Sequence, residues 1–318
     1  MTSKRRLKIF RFWSYLLAKA FKVYPLKRKT AEKIIESILA LSGALTIVVT
    51  LGIIMVLFSE SLNFFKEVSI FDFLTDTEWT PLFTQKHYGI LPLLAGTLLT
   101  TLIAVGTAMP VGLIIAIYLS EYAPKNFRNR IKPMMEILAA IPTVVYGFFA
   151  LTVVTPFLQS FIPGVGTFNA LSAGLVMGIM IVPMISSLSE DALYAVPKSL
   201  REASYGMGAT RFQTSFKVIM PAASSGILVS MILAIGRAVG ETMVVAIAAG
   251  QQPVLTFDAR QGVETITSYI VQVSLGDVQH GSLEYNTIFA AGITLFIFTF
   301  ILNHISYWLK KRFHEKYE

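Results

Sequence analysis

Two ionisable residues stand out because they lie within a long apolar run. Arg237 and Glu241 are four residues apart in the otherwise uncharged segment Ala222–Ala249. On a helix, residues four apart share one face, and an arginine at the centre of a bilayer costs about 2.5–3.5 kcal/mol. The pair therefore indicates either a face that lines a pathway or an interface, or a structural ion pair that fixes helix packing.

The residue types elsewhere exclude most other chemistry. The chain has no cysteine, and its four histidines are scattered without metal-ligand spacing. It also lacks paired carboxylates, a nucleophile elbow, a metalloprotease motif and a Walker loop. Its basic residues form no face interleaved with aromatics, which argues against nucleic acid as a partner. We therefore expect no enzyme, no metal site and no cofactor on this chain; any ATP and Mg²⁺ would be bound by a partner subunit.

The hydropathy pattern places the pair in a membrane protein. Of the 318 residues, 54% are hydrophobic and 14% charged, whereas soluble domains carry roughly 25% charged residues. A helix needs about 20 mostly apolar residues to cross a bilayer. The predicted spans are Ile38–Phe58, Ile90–Leu119, Met134–Phe161, Ala170–Leu188, Ala222–Ala249 and Thr287–Leu309. The sequence therefore predicts an all-α polytopic membrane protein with six transmembrane helices.

The distribution of basic residues predicts which side of the membrane is cytoplasmic. Of the 27 Lys and Arg residues, Lys66, Lys86 and Arg260 lie in loops on one side. Arg237 lies within a span, and the remaining 23 lie on the other side. Because basic residues are enriched on the cytoplasmic side, both termini are predicted to be cytoplasmic (N-in, C-in).

The segments outside the spans suggest further contacts. Residues 1–36 mix aromatic and basic side chains, which favours a cytoplasmic helix lying on anionic membrane lipid over a solvated basic tail. Residues 37–318 then form the transmembrane domain. The two external loops, about 59–89 and 250–286, are acidic, and they are either docking surfaces for an external partner or passive connections.

A cytoplasmic loop of about residues 190–221 carries a recognisable motif. Glu202, Ala203 and Ser204 are followed by Gly208, and the loop ends with Pro221. This spacing resembles the EAA loop of ABC importer permeases, with Ser204, Val218 and Met220 as conservative departures from the family pattern. The resemblance implies that Glu202, Ala203, Gly208 and Pro221 belong to a short coupling helix and turn that dock on a separate ATPase subunit.

Two further segments narrow the resemblance to phosphate-specific permease subunits, and to the PstC type in particular. They are residues 136–147 (EILAAIPTVVYG) and 236–243 (GRAVGETM), with a lesser match at 119–124 (LSEYAP). The resemblance implies a type I ABC importer permease fold with its core at about 90–309, in the inner membrane of a bacterium or archaeon. It also implies three partners: a homologous permease of the PstA type, ATPase subunits of the PstB type and an external phosphate-binding protein of the PstS type.

On this interpretation the substrate pathway contains Arg237 and Glu241, with Thr143 and Tyr146 as secondary candidates. Thr143 and Tyr146 flank the kink expected at Pro142, where their hydroxyls are available to an oxyanion or, in the more ordinary interpretation, to a freed backbone carbonyl. A permease for another tetrahedral oxyanion is an alternative. A stand-alone secondary anion transporter is another, although it would need a coupling-ion site of its own.

One charged pair in the third predicted span has a simpler interpretation. Glu136 follows Lys132 by four residues, which predicts an intrahelical ion pair near the cytoplasmic end of that span. We therefore expect no contact of Glu136 with the substrate.

Overall fold

The computed structural model describes the backbone of residues 28–312 and the side chains of residues 32–308. No β-strand occurs in that part of the chain, which contains helices, turns and two isolated bridges. The chain divides into two compact units, Met1–Val56 and Leu57–Glu318. The interfacial helix predicted in the first 36 residues falls largely outside the described residues and stays a prediction.

The first helix, α1, extends from Arg28 to Glu67, so it begins in the first unit and ends in the second. Within the first unit its apolar side chains are exposed; Leu41 and Met55, for example, each expose 72% of their surface. A helix that is apolar on every side is not stable in water and suits a lipid environment. This part of α1 therefore has the surface of a membrane span.

The second unit continues with helices joined mostly by short connections. In chain order they are α2 (Ile70–Thr75), α3 (Leu91–Tyr122), α4 (Lys125–Ala139), α5 (Thr143–Phe161), α6 (Ala170–Ala195), α7 (Lys198–Gly206), α8 (Arg211–Ala222), α9 (Ser224–Val239), α10 (Met243–Ala248), α11 (Ile266–Leu275) and α12 (Leu283–Arg312). The last turn of α3 and one turn within each of α5 and α8 have π-helical geometry.

Five of the described helices are long and apolar enough to cross a membrane, namely α1, α3, α5, α6 and α12. Helices α8 and α9 meet at an angle of 71° and provide a sixth crossing if the bent pair is counted as one span. These segments overlap the six apolar runs of the sequence. The prediction of an all-α polytopic membrane protein is therefore confirmed.

The third predicted span, Met134–Phe161, was wrong as a continuous helix. Helix α4 ends at Ala139, and the apolar helix α5 begins only at Thr143. Pro142 has no amide hydrogen and disfavours helical geometry at the preceding residue, so it ends one helix and precedes the next. Glu136 therefore lies on the amphipathic helix α4 rather than on the span itself.

The fifth predicted span, Ala222–Ala249, is also interrupted. Helix α9 ends at Val239, and the short helix α10 starts at Met243. Gly240 leaves helical geometry, with φ −87° and ψ 2°, and its lack of a side chain makes such a departure inexpensive. The candidate residues Arg237 and Glu241 therefore lie on opposite sides of a helix end.

Small residues allow α3 and α6 to pack closely in the core of the second unit. A Cβ at Gly174 would lie 2.7 Å from the Cβ of Ile103, and one at Gly178 would lie 2.3 Å from Oγ1 of Thr107. Close approach through small residues is typical of membrane helices. The same buried core includes Tyr146 of α5, so this packing also fixes a candidate residue.

Two further buried clusters gather segments that were predicted to share one side of the membrane. One contains Trp79 and Tyr269, whose rings meet edge to face at 5.0 Å, and it joins the two external loops. The other contains Leu193, Val196 and Ile219 and joins cytoplasmic segments. Separate clusters of this kind are expected for the predicted topology.

Candidate functional site

Arg237 lies in the last turn of α9, and its side chain is half-buried. Its guanidinium forms no ion pair or hydrogen bond with any side chain or backbone group within residues 32–308, although its charge acts on Tyr146. The free carbonyls at a helix C-terminus favour a cation by about 0.3–1 kcal/mol. The helix end therefore holds a positive group whose five N–H donors remain available to a ligand.

Glu241 does not pair with Arg237 in this structure, unlike the structural ion pair considered from the sequence. The carboxylate Oε1 accepts a hydrogen bond from the Val244 amide at 3.3 Å, and the Glu241 carbonyl accepts one from the Thr267 hydroxyl at 2.6 Å. The reason is that α9 ends before Gly240, so Glu241 no longer lies on the same helix face as Arg237. Glu241 instead caps α10 and connects it to α11.

Tyr146 and Thr143 lie at the start of α5. The buried Tyr146 donates a hydrogen bond from its hydroxyl to the Leu138 carbonyl at 2.9 Å, and so it satisfies a carbonyl left free where α4 ends. Thr143, the first residue of α5, is half-buried. Gly147 brings this turn against α10, because a Cβ there would lie 3.0 Å from the Cβ of Ile247. Tyr146 therefore lies near Arg237, but its hydroxyl hydrogen is already engaged in the hydrogen bond to Leu138.

Gly236 and Gly240 flank Arg237 on a face of α9 that is open in the described structure. Both glycines are exposed. A Cβ at Gly236 would have no neighbour within 4 Å, and one at Gly240 would meet only backbone oxygens of α9. No helix of the described chain approaches this small-residue face, which remains accessible to a solute or to another subunit.

The predicted coupling segment forms α7, a turn and α8. Glu202 and Ala203 are exposed on α7, and Gly208 has a φ of +80°. Since residues with a Cβ rarely adopt positive φ, the requirement for glycine at this turn has a backbone cause. Thr210 then caps α8 through a reciprocal pair of hydrogen bonds with Gln213. Pro221 lies in the last turn of α8 and is exposed.

Apolar side chains cover the exposed side of this segment. Met207 exposes 88% of its surface, and Tyr205, Phe212 and Phe216 are also exposed. The rings of Phe212 and Phe216 lie 4.5 Å apart. Large exposed apolar groups next to charged loops are typical of a surface that another protein covers.

An ion pair that was not predicted fixes α7 to two spans. Arg201 Nη2 lies 2.9 Å from Glu121 Oε1 and donates to the Leu193 carbonyl at 2.8 Å. Nη1 donates to the Val196 carbonyl. Glu121 belongs to the LSEYAP segment, whose resemblance to a family signature was noted without a physical role. The spacing of 80 residues between the partners explains why sequence patterns alone did not suggest this contact.

A second unpredicted network surrounds Glu190, whose side chain is only 1% exposed. Arg128 and Lys132 of α4 both pair with Glu190, and Lys132 also pairs with Asp191. The Arg128 guanidinium lies 3.9 Å from the ring centre of Tyr194. The intrahelical pair predicted between Lys132 and Glu136 was therefore wrong, because α6 offers Lys132 two carboxylates.

Outside this region, Glu264 is a buried acid next to a small cavity of about 60 Å³. Its side chain is 1% exposed, Oε1 has no hydrogen-bond partner, and burial raises its pKa to about 8. The indole Nε1 of Trp79, which lines the same cavity, is also unpartnered. Within the described residues, no group of His, Cys, Asp or Glu side chains is arranged to hold a metal ion.

Residues 108–317 match the family described as "binding-protein-dependent transport system inner membrane component". The chain belongs to this family. The permease is therefore a multi-pass protein of the inner membrane, in agreement with its apolar helices. The resemblance inferred from the coupling-segment motif is confirmed at this level.

Named relatives extend the comparison over most of the permease. "Probable ABC transporter permease protein YqgH" of Bacillus subtilis is 38% identical over 77% of this chain and 79% of its own length. "Phosphate transport system permease protein PstC" of Mesorhizobium japonicum is 34% identical over 76% and 79%, and the PstC of Xylella fastidiosa strain Temecula1 is 36% identical over 72% and 75%. These relatives confirm the resemblance to PstC-type permeases.

Solved structures agree on the fold. A bacterial ABC transporter involved in import of the acidic polysaccharide alginate matches with a TM-score of 0.61 at 16% identity, over 91% of this permease and 100% of that chain. The MetNI methionine ABC transporter matches with a TM-score of 0.52 at 19% identity, over 71% and 95%. The type I ABC importer permease fold is therefore confirmed.

Proposed function

We propose that this permease forms part of the membrane pathway of an ATP-driven importer of inorganic phosphate. The observation that carries the proposal is the half-buried guanidinium of Arg237, which has no counter-ion within the described chain. A buried or half-buried charge is costly without a partner. A transient anionic ligand is a partner that would offset this cost during transport.

The chemistry of the guanidinium suits a tetrahedral oxyanion. Its planar fork can donate to two oxygens at once, whereas a lysine ammonium is a compact point charge. At an effective dielectric constant near 20, two unit charges 4 Å apart interact by about 4 kcal/mol. An attraction of this size permits binding and release. Glu241, which is engaged with the Val244 amide, does not compete for the same donors.

The proposed energy source lies on another chain. No Walker loop occurs in the sequence, while α7 and α8 present an exposed apolar surface that suits the groove of an ATPase subunit. The open face around Gly236 suits a second, homologous permease of the PstA type, and the acidic external loops suit a phosphate-binding protein of the PstS type. The names of the PstC relatives support phosphate as the substrate.

Phosphate uptake by vesicles containing the whole transporter tests this proposal. Arg237→Gln should reduce uptake at least tenfold while assembly and basal ATP hydrolysis persist. Arg130→Gln, which removes an exposed basic residue of α4 with no ion pair among residues 32–308, is the matched control and should transport normally. A tenfold excess of sulfate should leave uptake unchanged if phosphate is the substrate, and inhibition by sulfate would favour a broader oxyanion permease.

Two outcomes would count against the proposal. Uptake that persists when the ATPase subunit cannot hydrolyse ATP would favour a secondary transporter. Near-native uptake by Arg237→Gln would show that transport does not need this guanidinium.

A further inference from the structure

The attachment of α7 to the membrane helices depends on few contacts. No residue of this helix is fully buried. Leu200 packs against the cluster around Leu193, and Ser204 hydrogen-bonds with Thr214 at 2.9 Å. A short helix with so little buried apolar surface is not held in place by packing alone. Its position therefore also depends on polar contacts, among which those of Arg201 reach the membrane helices α3 and α6.

Arg201 connects three helices through one guanidinium. At the end of α6 it donates to the carbonyl of Leu193, which also accepts the Val196 amide, and to the carbonyl of Val196, the residue that follows the helix. On α3 it pairs with Glu121, whose side chain is 6% exposed. Arg201 itself is 17% exposed, so water competes little for these donors.

We propose that Arg201 and Glu121 are positioning residues that couple the movement of α7 to the membrane helices. On this basis the pair does not touch the transported anion. It makes α7, the end of α6 and the end of α3 move together when a partner protein displaces α7. The inference rests on the proposed function, in which an ATPase subunit supplies that displacement.

A second set of contacts continues this connection toward Arg237. Glu190 lies on α6, and it binds Arg128 and Lys132 of α4. The last turns of α4 accept the hydrogen bond from Tyr146 of α5, beside the charge of Arg237. On this basis a displacement of the C-terminal end of α6 reaches α4 through the ion pairs of Glu190. From α4 it reaches the candidate anion site through the hydrogen bond of Tyr146.

The test measures coupling rather than transport alone. The complete transporter is reconstituted in proteoliposomes, and phosphate uptake is measured per ATP hydrolysed. Because the chain has no cysteine, a single Ala203→Cys introduced into each variant provides a crosslinking probe for the ATPase subunit. Arg201→Gln removes all three contacts, while Glu121→Gln removes only the charge and keeps the contacts of Arg201 with the carbonyls.

We expect crosslinking and ATP hydrolysis to continue in both variants. Phosphate uptake per ATP should fall at least tenfold in Arg201→Gln and several-fold in Glu121→Gln. Arg130→Gln removes an exposed basic residue of α4 that forms no ion pair among residues 32–308 and should match the native ratio. A native ratio in both test variants would overturn the proposal, as would a loss of crosslinking in proportion to the loss of uptake, which indicates structural support only.

A spectroscopic measurement separates this inference from the phosphate proposal. Spin labels at Ala203→Cys on α7 and Ile114→Cys on α3 should give one narrow distance distribution, which broadens in Arg201→Gln. If that variant does not assemble, Glu121→Gln is measured in its place and should broaden the distribution to a smaller extent. If the native complex takes up no phosphate but the broadening is observed, phosphate is refuted as the substrate and the coupling role is retained. Equal distributions in native and variant proteins overturn the coupling role whatever the substrate.

Discussion

The buried acid Glu264 provides a quantitative prediction about pH. Burial raises its pKa from an ordinary 4.5 to about 8. Each tenfold change in proton affinity is worth about 1.4 kcal/mol, so this rise corresponds to on the order of 5 kcal/mol. The value is an upper bound on the pH-dependent stability that one carboxyl can contribute.

The direction follows from the order in which the two states lose the proton. Between pH 4.5 and about 8 the unfolded chain has released the proton from Glu264 while the folded protein retains it. The contribution of this proton to folding stability is therefore complete below pH 4.5 and falls as pH rises, until it is lost above about 8. Glu264→Gln keeps the shape of the side chain and the zero charge of its protonated form. The folding stability of the variant should therefore equal that of the native protein at pH 4.5 and exceed it at pH 9.

Trp79 provides a direct assay, because it lines the same cavity as Glu264. The chain has 3 tryptophans, and replacing Trp13 and Trp308 by Phe leaves Trp79 as the single reporter. Its emission should titrate with a midpoint near pH 8, and the transition should be absent in Glu264→Gln. The exposed neighbour Glu78, changed to Gln, is the control and should leave the midpoint unchanged. A flat emission between pH 6 and 10, or the same midpoint in Glu264→Gln, would refute the reasoning.

Further predictions concern the turn, the core and the topology. Gly208→Val forces a branched side chain into a φ of +80°, so uptake and stimulation of ATP hydrolysis should fall with membrane insertion intact. The control Gly206→Val, whose added side chain has no neighbour within 4 Å of its Cβ, should retain both activities. Equal activities of the two variants would contradict the role of the turn. Gly174→Leu should destabilise the folded protein by about 1–3 kcal/mol by overpacking the α3–α6 contact, and an unchanged melting temperature in detergent would contradict that packing. A single cysteine at Lys86 should react with an impermeant reagent added outside the cell. One at Lys198 should react only when the reagent has access to the cytoplasmic side, and the opposite pattern would overturn the topology.

Hydropathy and local motifs predicted the elements well, because both depend on neighbouring residues. The apolar runs, the exposed Glu202 and the positive φ of Gly208 all follow from local sequence. Pro142 was predicted to kink one span, but it separates two helices. The first of them, α4, carries polar residues that make it amphipathic rather than membrane-spanning.

Contacts between distant segments were beyond such reasoning. Glu241 was placed beside Arg237 on the assumption of a continuous helix, and the break at Gly240 removed the basis for that pairing. Lys132 was assigned the nearest carboxylate in sequence, although folding brings the two acids of α6 closer. The burial of Glu264 depends on how the external segments pack, so no pattern in its own neighbourhood indicated it.

The open face around Gly236 and Arg237 also has a consequence for how the cell produces this protein. A chain inserted alone would present a guanidinium on a surface that neighbouring lipid cannot solvate, at a cost of about 2.5–3.5 kcal/mol. Copies made in excess of a partner subunit should therefore be unstable in the membrane and subject to proteolysis. Balanced synthesis of the subunits, rather than the intrinsic stability of this chain, should set its abundance; its half-life should lengthen when the partner is co-expressed.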